Sequence, residues 1–319
     1  MTNSSPSHPV HLSTWITLAF AYVYLAWGGT YMAVHVALAT MPPFIIAGCR
    51  FLLGGGILLA LVALFHRTDF HWGNRREWQD ATVVGSMLLV GGNGAVVWAQ
   101  QYVPTGIAAL MFGSMPLCII FFDWVRPNGT VPSRRTCLGL ALGFAGLCIL
   151  FWPSSDETSS RREILGKLAL LFAACSWSAG AIYSRHVHAQ GSPLLPMARQ
   201  MLAGGAALFL ISLLHRDWNH FSVAQVSVAS WMGFGYLVIF GSLLGFTTYL
   251  WLMRVSTPAN VSTISYVNLV VAVMLGWTVG HEPMTLHVFL GALVIVGSVM
   301  LVLAKKSARA TVNATPQEA

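Results

Sequence analysis

Charged side chains are scarce in this sequence. Of its 319 residues, only 8% are Asp, Glu, Lys or Arg, whereas 56% are hydrophobic. Soluble domains carry roughly 25% charged residues. So few charges would not cover the surface of a water-soluble protein of this size. We therefore expect an all-α polytopic membrane protein whose main partner is the lipid bilayer.

The motifs of several enzyme classes are also missing. There is no GxxxxGK[ST] phosphate loop, no GxSxG and no HExxH. The GGNG at 91–94 lies inside an apolar run and is not followed by a strand–helix unit. His186 and His188 have no nearby cysteine or carboxylate cluster that would complete a metal site. We expect no catalytic residue, no cofactor and no metal.

The chain has little that points to secretion or to nucleic acid. Its five cysteines are an odd number and lie inside apolar runs, so they do not predict a disulfide framework. The net charge of +7 comes from basic residues between apolar runs, where they set membrane orientation. The first apolar run extends to about Ala39, which is too long for a signal peptide. We expect it to remain as the first membrane helix.

Long apolar runs make up most of the chain. A membrane-spanning helix needs about 20 mostly apolar residues. Ten runs meet this criterion, and they are 15–37, 43–65, 80–99, 103–124, 135–152, 165–184, 194–214, 227–251, 257–280 and 285–304.

The basic residues predict how these helices are oriented. With the N-terminus inside, eleven Arg and Lys fall on the cytoplasmic side and four on the outer side. Positive charge collects on the cytoplasmic side of membrane proteins. We therefore expect both the 1–13 tail and the 305–319 tail to be cytoplasmic, with an external linker at 153–164, in the cytoplasmic (inner) membrane of a bacterium.

The chain contains an internal repeat. AWGGTY around Trp27 matches SWSAGAIY around Trp177, and the two tryptophans are 150 residues apart. Arg50 and Arg199 are each followed by Gly-Gly at +5 and +6 and by His-Arg at +16 and +17. The repeats extend over 14–152 and 165–304. Because five helices is an odd number, the two copies have opposite orientations, a common plan of secondary transporters with a midplane site.

Several segments together resemble the EamA branch of the drug/metabolite transporter superfamily, and within it the YedA-type permeases. They are WGGTY (27–31), PPFIIAGCRFLLGG (42–55), VGGNGAVVWAQQYVPTGIAALM (90–111) and GHEPMTLHVFLGALVIVGSVML (280–301). The resemblance implies ten helices in two inverted repeats and an exporter of small metabolites or amino acids. Leu269 stands where many relatives have a proline after the asparagine.

Polar and aromatic side chains inside the apolar runs are the candidates for contact with a small-molecule substrate. Rings with polar tips suit a pocket for amphipathic solutes. For any single residue, hydrogen bonding between helices is the alternative. The candidates are Trp27, Tyr31, Asn93, Trp98, Gln100, Trp177, Tyr183, Tyr249, Tyr266 and Asn268. Of these, we expect Asn93, Trp177, Tyr249 and Asn268 to share one central cavity.

Two arginines and one glutamate are the notable intramembrane or border charges. Arg50 and Arg199 are equivalent in the repeats, which favours an architectural or gating role over direct contact with substrate, although contact remains an alternative. Glu282 has two interpretations, a cap on the tenth helix or a proton-coupling group.

The sequence therefore favours a secondary transporter, with an exporter of metabolites, amino acids or drug-like solutes as the leading hypothesis. The alternatives are an intramembrane enzyme and a lipid-binding or signalling membrane protein. The chain's oligomeric state is open, and a monomer is compatible with the sequence.

Overall fold

The computed structural model describes residues 9–65, 67–68, 70–125, 131–151, 161–187, 192–219 and 221–312. These residues form ten long helical segments. They are α1 (Pro9–Leu38), α2 (Pro43–Phe65), α3 (Arg75–Ala99), α4 (Thr105–Val125), α5 (Arg134–Phe151), α6 (Arg161–Ser184), α7 (Leu194–Leu214), α8 (Val228–Val255), α9 (Pro258–Ser262 and Ile264–Thr278) and α10 (Leu286–Val312).

Within the described residues, eight of these helices are long and apolar enough to cross a membrane. They are α2 to α9, and Leu286–Val302 of α10 is a shorter apolar stretch. The all-helical membrane architecture is thus confirmed. The exact number of ten spans stays a prediction.

Several helix boundaries differ from the predicted runs. The first helix begins at Pro9 instead of residue 15. The third helix begins at Arg75 instead of residue 80, because Asn74 and Glu77 form a capping box at its start. The ninth is interrupted between Ser262 and Ile264. The tenth continues to Val312, past the predicted end at 304. Part of the predicted linker (153–160) and parts of both tails (1–8 and 313–319) lie outside the described residues.

The two repeats meet where α2 and α7 cross with little space between their backbones. A Cβ added at Gly48 would lie 2.8 Å from the backbone nitrogen of Phe209, and one at Gly205 would lie 2.8 Å from that of Leu52. Small residues allow such close approach between membrane helices. Position numbers rise along one helix as they fall along the other, so α2 and α7 are antiparallel.

This crossing defines the two ends of the bundle. At the α2–α3 end, α2 finishes, α7 begins and α3 starts. At the opposite α7–α8 end, α2 begins, α7 finishes and α8 starts. The rings of Phe44 and His215, whose centroids are 5.6 Å apart, lie together at the α7–α8 end.

The third helix of each repeat contains a π-helical segment. In α3 it spans Ser86–Gly94 and in α8 it spans Leu237–Leu244. In each, a polar side chain donates to the carbonyl five residues earlier. Asn93 Nδ2 lies 3.5 Å from Leu88 O, and Ser242 Oγ lies 3.0 Å from Leu237 O. Both pairs are offset by 149 residues, so the irregularity itself is repeated. π-Helical segments are rare in proteins, and those that occur are often found at functional sites.

Candidate functional site

A cavity of about 100 Å³ lies between the two repeats. Its wall is built from α1, α2, α3, α4, α6, α8 and α9. The lining residues are Trp27, Thr30, Tyr31, Val34, Arg50, Asn93, Val96, Val97, Gln100, Phe112, Gly113, Met115, Trp177, Gly241, Phe246, Ser265, Asn268 and Leu269. We call it the central cavity.

The two repeat-equivalent tryptophans each pack on the π segment of the other repeat. Trp27 of the first repeat donates from Nε1 to the carbonyl of Gly241 at 3.2 Å. Trp177 of the second repeat covers Gly92, where an added Cβ would lie 2.9 Å from the indole. Gly92 and Gly241 are 149 residues apart. The cavity therefore lies at a reciprocal contact of inverted repeats, where such transporters place their site.

Aromatic side chains form the apolar part of the wall. Trp27 meets Phe246 edge-on with ring centroids 5.4 Å apart, and Trp177 meets Phe112 edge-on at 5.6 Å. Edge-to-face pairs of this kind hold rings in fixed orientations. Each of the two tryptophans thus contributes to the cavity wall as part of a rigid aromatic pair.

Arg50 is the one charged side chain among the described residues that line the central cavity. It is 5% exposed, and its Nε donates to Ser242 Oγ at 2.8 Å. Its guanidinium carbon lies 4.8 Å from the centroid of the Phe51 ring. A guanidinium has five N–H donors. Only one of them is used by a described residue, so the others are available to an anion.

Two amide oxygens of the wall also lack partners. Gln100 donates from Nε2 to the carbonyl of Tyr31 at 2.9 Å, which fixes its amide. Gln100 Oε1 and Asn268 Oδ1 are buried and accept no hydrogen bond from any residue that the structure describes. Buried acceptors without donors are costly. A hydrogen-bond donor on a bound molecule would satisfy them.

The structure brings six of the ten predicted substrate-contact residues to the central cavity. They are Trp27, Tyr31, Asn93, Gln100, Trp177 and Asn268. Their role in binding stays a prediction. Sequence reasoning left out the lining residues Phe112 and Phe246, whose spacing resembles ordinary helix packing. It also left out Ser242, the partner of Arg50, which the 149-residue offset from Asn93 would have indicated.

The other four predicted residues do not line the central cavity. Tyr249 packs against Trp27, with ring centroids 5.1 Å apart. Trp98 packs against Tyr102, with ring centroids 5.2 Å apart, and Tyr266 packs against an apolar core to which α3, α4, α6, α9 and α10 all contribute. Tyr183 lies at the end of α6, where its hydroxyl bonds to Asp80 Oδ1 at 3.0 Å. The structure therefore does not place Tyr249 at the cavity wall with Asn93, Trp177 and Asn268, as the sequence had predicted.

Arg199 does not share the environment of Arg50. It is 1% exposed, and Nη1 lies 3.1 Å from Glu77 Oε1 while Nη2 donates to the carbonyl of His71 at 2.8 Å. Gly73, at a φ of +87°, lies against this guanidinium, and an added Cβ there would be 2.7 Å from its central carbon. The two equivalent arginines therefore have different partners, which the repeat alone did not predict.

Glu282 caps a helix, but not the tenth helix that the sequence suggested. Its carboxylate accepts hydrogen bonds from the backbone N–H groups of Thr105 at 2.5 Å and Gly106 at 3.0 Å, at the start of α4. A carboxylate at a helix N-terminus is favourable. This contact joins the two repeats. The proton-coupling role of Glu282 stays a prediction.

Comparison with known proteins agrees with this architecture. The model of the EamA-like transporter family matches twice, over residues 13–152 and 164–304. The inner membrane transporter YedA of Escherichia coli, described as uncharacterised, is 33% identical over 282 residues and 88% of each chain. The uncharacterised transporter YvbV of Bacillus subtilis is 25% identical over 295 residues, which is 92% of each chain.

The same arrangement of helices occurs in a solved structure. A protein crystal structure superposes with a TM-score of 0.63 and 20% identity, over 93% of this chain and 99% of the other. That likeness concerns the fold alone. With two matched repeats covering most of its length, the chain belongs to the EamA-like transporter family.

Proposed function

We propose that the chain is a secondary transporter that exports small amphipathic solutes by alternating access of the central cavity. The observation that carries this proposal is the cavity wall, which is shared by inverted repeats and combines one buried cation with two unpaired acceptors and aromatic rings. The family and its relatives are transporters, which points away from an enzyme.

The chemistry of the wall favours solutes with one anionic group and one donor group. The free N–H groups of Arg50 match a carboxylate, which a guanidinium can bind in bidentate fashion. Gln100 Oε1 and Asn268 Oδ1 match an ammonium or amide donor. Among metabolites, amino acids and drug-like solutes, amino acids carry both groups. We therefore propose amino acids with apolar or aromatic side chains as the first class to test.

Flux into and out of proteoliposomes tests this function. Vesicles holding the purified protein would be loaded with a labelled apolar amino acid, with its decarboxylated amine, or with its deaminated acid. Efflux that is fastest for the amino acid supports the proposal. Equal efflux of all three solutes, or none above protein-free vesicles, contradicts it. The same vesicles, loaded on either side, report the direction of transport.

We place the protein in the bacterial inner membrane, which is where the name of YedA places that relative. We propose that both termini are cytoplasmic, because eleven basic residues fall on that side and four on the other. A Ser155→Cys variant, with the five native cysteines replaced, should react with an impermeant maleimide in intact spheroplasts. Labelling that requires lysis would reverse the topology.

A further inference from the structure

The two repeat-equivalent arginines point in opposite senses along their own helices. Arg199 is five residues from the start of α7, and its guanidinium turns back to the α2–α3 end, where Glu77 lies in the first turn of α3. Arg50 is seven residues from the start of α2, and it bonds to Ser242, which is fourteen residues into α8. Since α2 and α8 start at the same end, Arg50 is turned away from that end, into the bundle.

Each end of the bundle nevertheless has a carboxylate paired with a histidine. At the α2–α3 end, Glu77 Oε1 lies 3.0 Å from His71 Nε2. At the α7–α8 end, Asp217 Oδ1 lies 2.6 Å from His215 Nδ1. A carboxylate–histidine pair is therefore present at both ends, and of these two carboxylates only Glu77 also pairs with an arginine among the described residues.

Asp217 has an unfilled position for such a partner. Its side chain is 6% exposed, whereas that of His215 is 61% exposed. Asp217 Oδ2 is buried and accepts no hydrogen bond from the described residues. A buried carboxylate oxygen without a donor is strongly unfavourable. Asp217 Oδ2 could therefore pair with a cation in another conformation of the bundle.

Arg50 is the candidate cation, because Phe44, six residues before it on α2, packs against His215, whose partner is Asp217. Arg199 reaches the carboxylate that follows the second helix of the first repeat. Asp217 is the carboxylate that follows the second helix of the second repeat, although at the register position of Glu77 the 149-residue offset places Val226. In this structure, Arg50 has no acidic partner among the described residues. In inverted-repeat transporters, the halves rock against each other around a fixed site.

We propose that Arg199 and Glu77 form a latch that closes the α2–α3 end, and that Arg50 and Asp217 form the matching latch in the opposite conformer. Arg50 releases Ser242 and leaves the central cavity when that second latch forms. Each conformer then contains one closed latch and one arginine bonded inside the bundle. This inference rests on the proposed transport function, and it assigns Glu77 and Asp217 as residues that position the two conformers.

Crosslinking measures the two positions of residue 50 without any substrate. In a background free of native cysteines, one protein carries Arg50→Cys with Ser242→Cys and another carries Arg50→Cys with Asp217→Cys. A short bismethanethiosulfonate reagent is added, and intramolecular links are quantified by mass spectrometry. The first pair reports this conformer and the second reports the opposite one. Both pairs are expected to react.

Opening the latch at the other end should change the two yields in opposite directions. Adding Glu77→Gln should raise the 50–217 yield severalfold and lower the 50–242 yield. Asp80→Asn is the matched control, because it removes the same charge one turn further along α3, where its partner is Tyr183. It should leave both yields unchanged. No 50–217 link in either background, or an equal response to Asp80→Asn, overturns the proposal.

A second variant covers the case in which Glu77→Gln fails to fold. Asp217→Asn removes a charge whose second oxygen is unpaired here, so thermal stability should not fall. Solute flux in proteoliposomes should nevertheless drop severalfold, since the opposite conformer loses its latch. Unchanged flux overturns the latch. Opposed changes in crosslinking without any flux support the latch and contradict the transport function, so the two failures are distinguishable.

Discussion

Arg50 Nε lies 2.8 Å from Ser242 Oγ, which joins the second helix of one repeat to the π segment of the other. The serine hydroxyl in turn donates to the carbonyl of Leu237. This chain of contacts holds a buried guanidinium at the wall of the central cavity. Its equivalent, Arg199, is held by a carboxylate at the end of the bundle. The two arginines should therefore respond differently to the same substitution.

Arg50→Gln should weaken solute binding with a modest effect on folding. A hydrogen bond to a charged group contributes about 1.5–3 kcal/mol, which is about 10- to 150-fold in affinity. Arg50→Lys should recover only part of this, because an ammonium lacks the planar fork. Binding measured by calorimetry in detergent tests it, and unchanged affinity at normal abundance would return Arg50 to a purely architectural role.

Arg199→Gln should mainly destabilise the fold. It leaves the Glu77 carboxylate, 15% exposed, without its arginine. Breaking a buried ion pair from one side costs about 3–5 kcal/mol, and partial exposure of Glu77 reduces this to about 2 kcal/mol. The thermal midpoint of the purified protein should fall well below that of Arg50→Gln. Equal midpoints for the two variants would contradict the assignment of different roles.

Asn268→Ala should reduce affinity for solutes that carry a donor group. The unpaired Oδ1 of Asn268 faces the site proposed for an ammonium. Loss of a hydrogen bond to a charged group should cost about tenfold in affinity. Affinity for the corresponding deaminated acid should not change. Asn260→Ala, an exposed amide at the start of the same helix, is the matched control and should bind both solutes normally.

Glu282→Gln should loosen the start of α4. The amide keeps one acceptor oxygen but loses the charge that two backbone N–H groups share, at a cost of about 1 kcal/mol. Glu282→Asp keeps the charge, but its shorter side chain should not reach the N–H groups of Thr105 and Gly106. Its thermal stability should therefore be no higher than that of Glu282→Gln. Thermal unfolding compares the variants. If proton coupling is the main role, Glu282→Gln should instead abolish the pH dependence of flux at full stability.

Adjacent glycines in α2 should behave in opposite ways. A Cβ at Gly55 would lie 2.9 Å from the carbonyl oxygen of Ala198, whereas one at Gly56 would have no atom within 4 Å. Gly55→Ala should therefore destabilise by about 1–3 kcal/mol through overpacking of α2 on α7. Gly56→Ala should be neutral or stabilising by up to about 1 kcal/mol. Similar midpoints for both would contradict the close crossing.

The sequence predicted the features that depend on local spacing along the chain. Apolar runs gave the helices, and the recurring pattern around Arg50 and Arg199 gave two copies of one unit. The mid-helix position of Trp27 and Trp177 predicted that both would reach the cavity, as they do. These predictions depend on local spacing, which the helix and the repeat convert directly into position.

Contacts between distant segments were less predictable. Thr105 and Glu282 are 177 residues apart, and the local sequence of Glu282 equally suits a cap on α10. Tyr183 resembles an interior aromatic, but the helix ends one residue later, so its hydroxyl reaches Asp80. The partners of Arg50 and Arg199, which are Ser242 and Glu77, lie in distant segments, so the matching local pattern around the two arginines does not reveal them.

The π segments have a consequence for the phase of the helices that contain them. An α-helix turns about 100° per residue, so the additional residue in each segment rotates everything beyond it by about that angle. In α3 this sets the face that presents Gln100, and in α8 it sets the face that presents Phe246. Each repeat carries one such segment, and the two lie at nearly corresponding positions. Deletion of a single residue within one segment would therefore rotate the following part of that helix, and its side chains would no longer line the central cavity. The wall formed by the other repeat would stay in place.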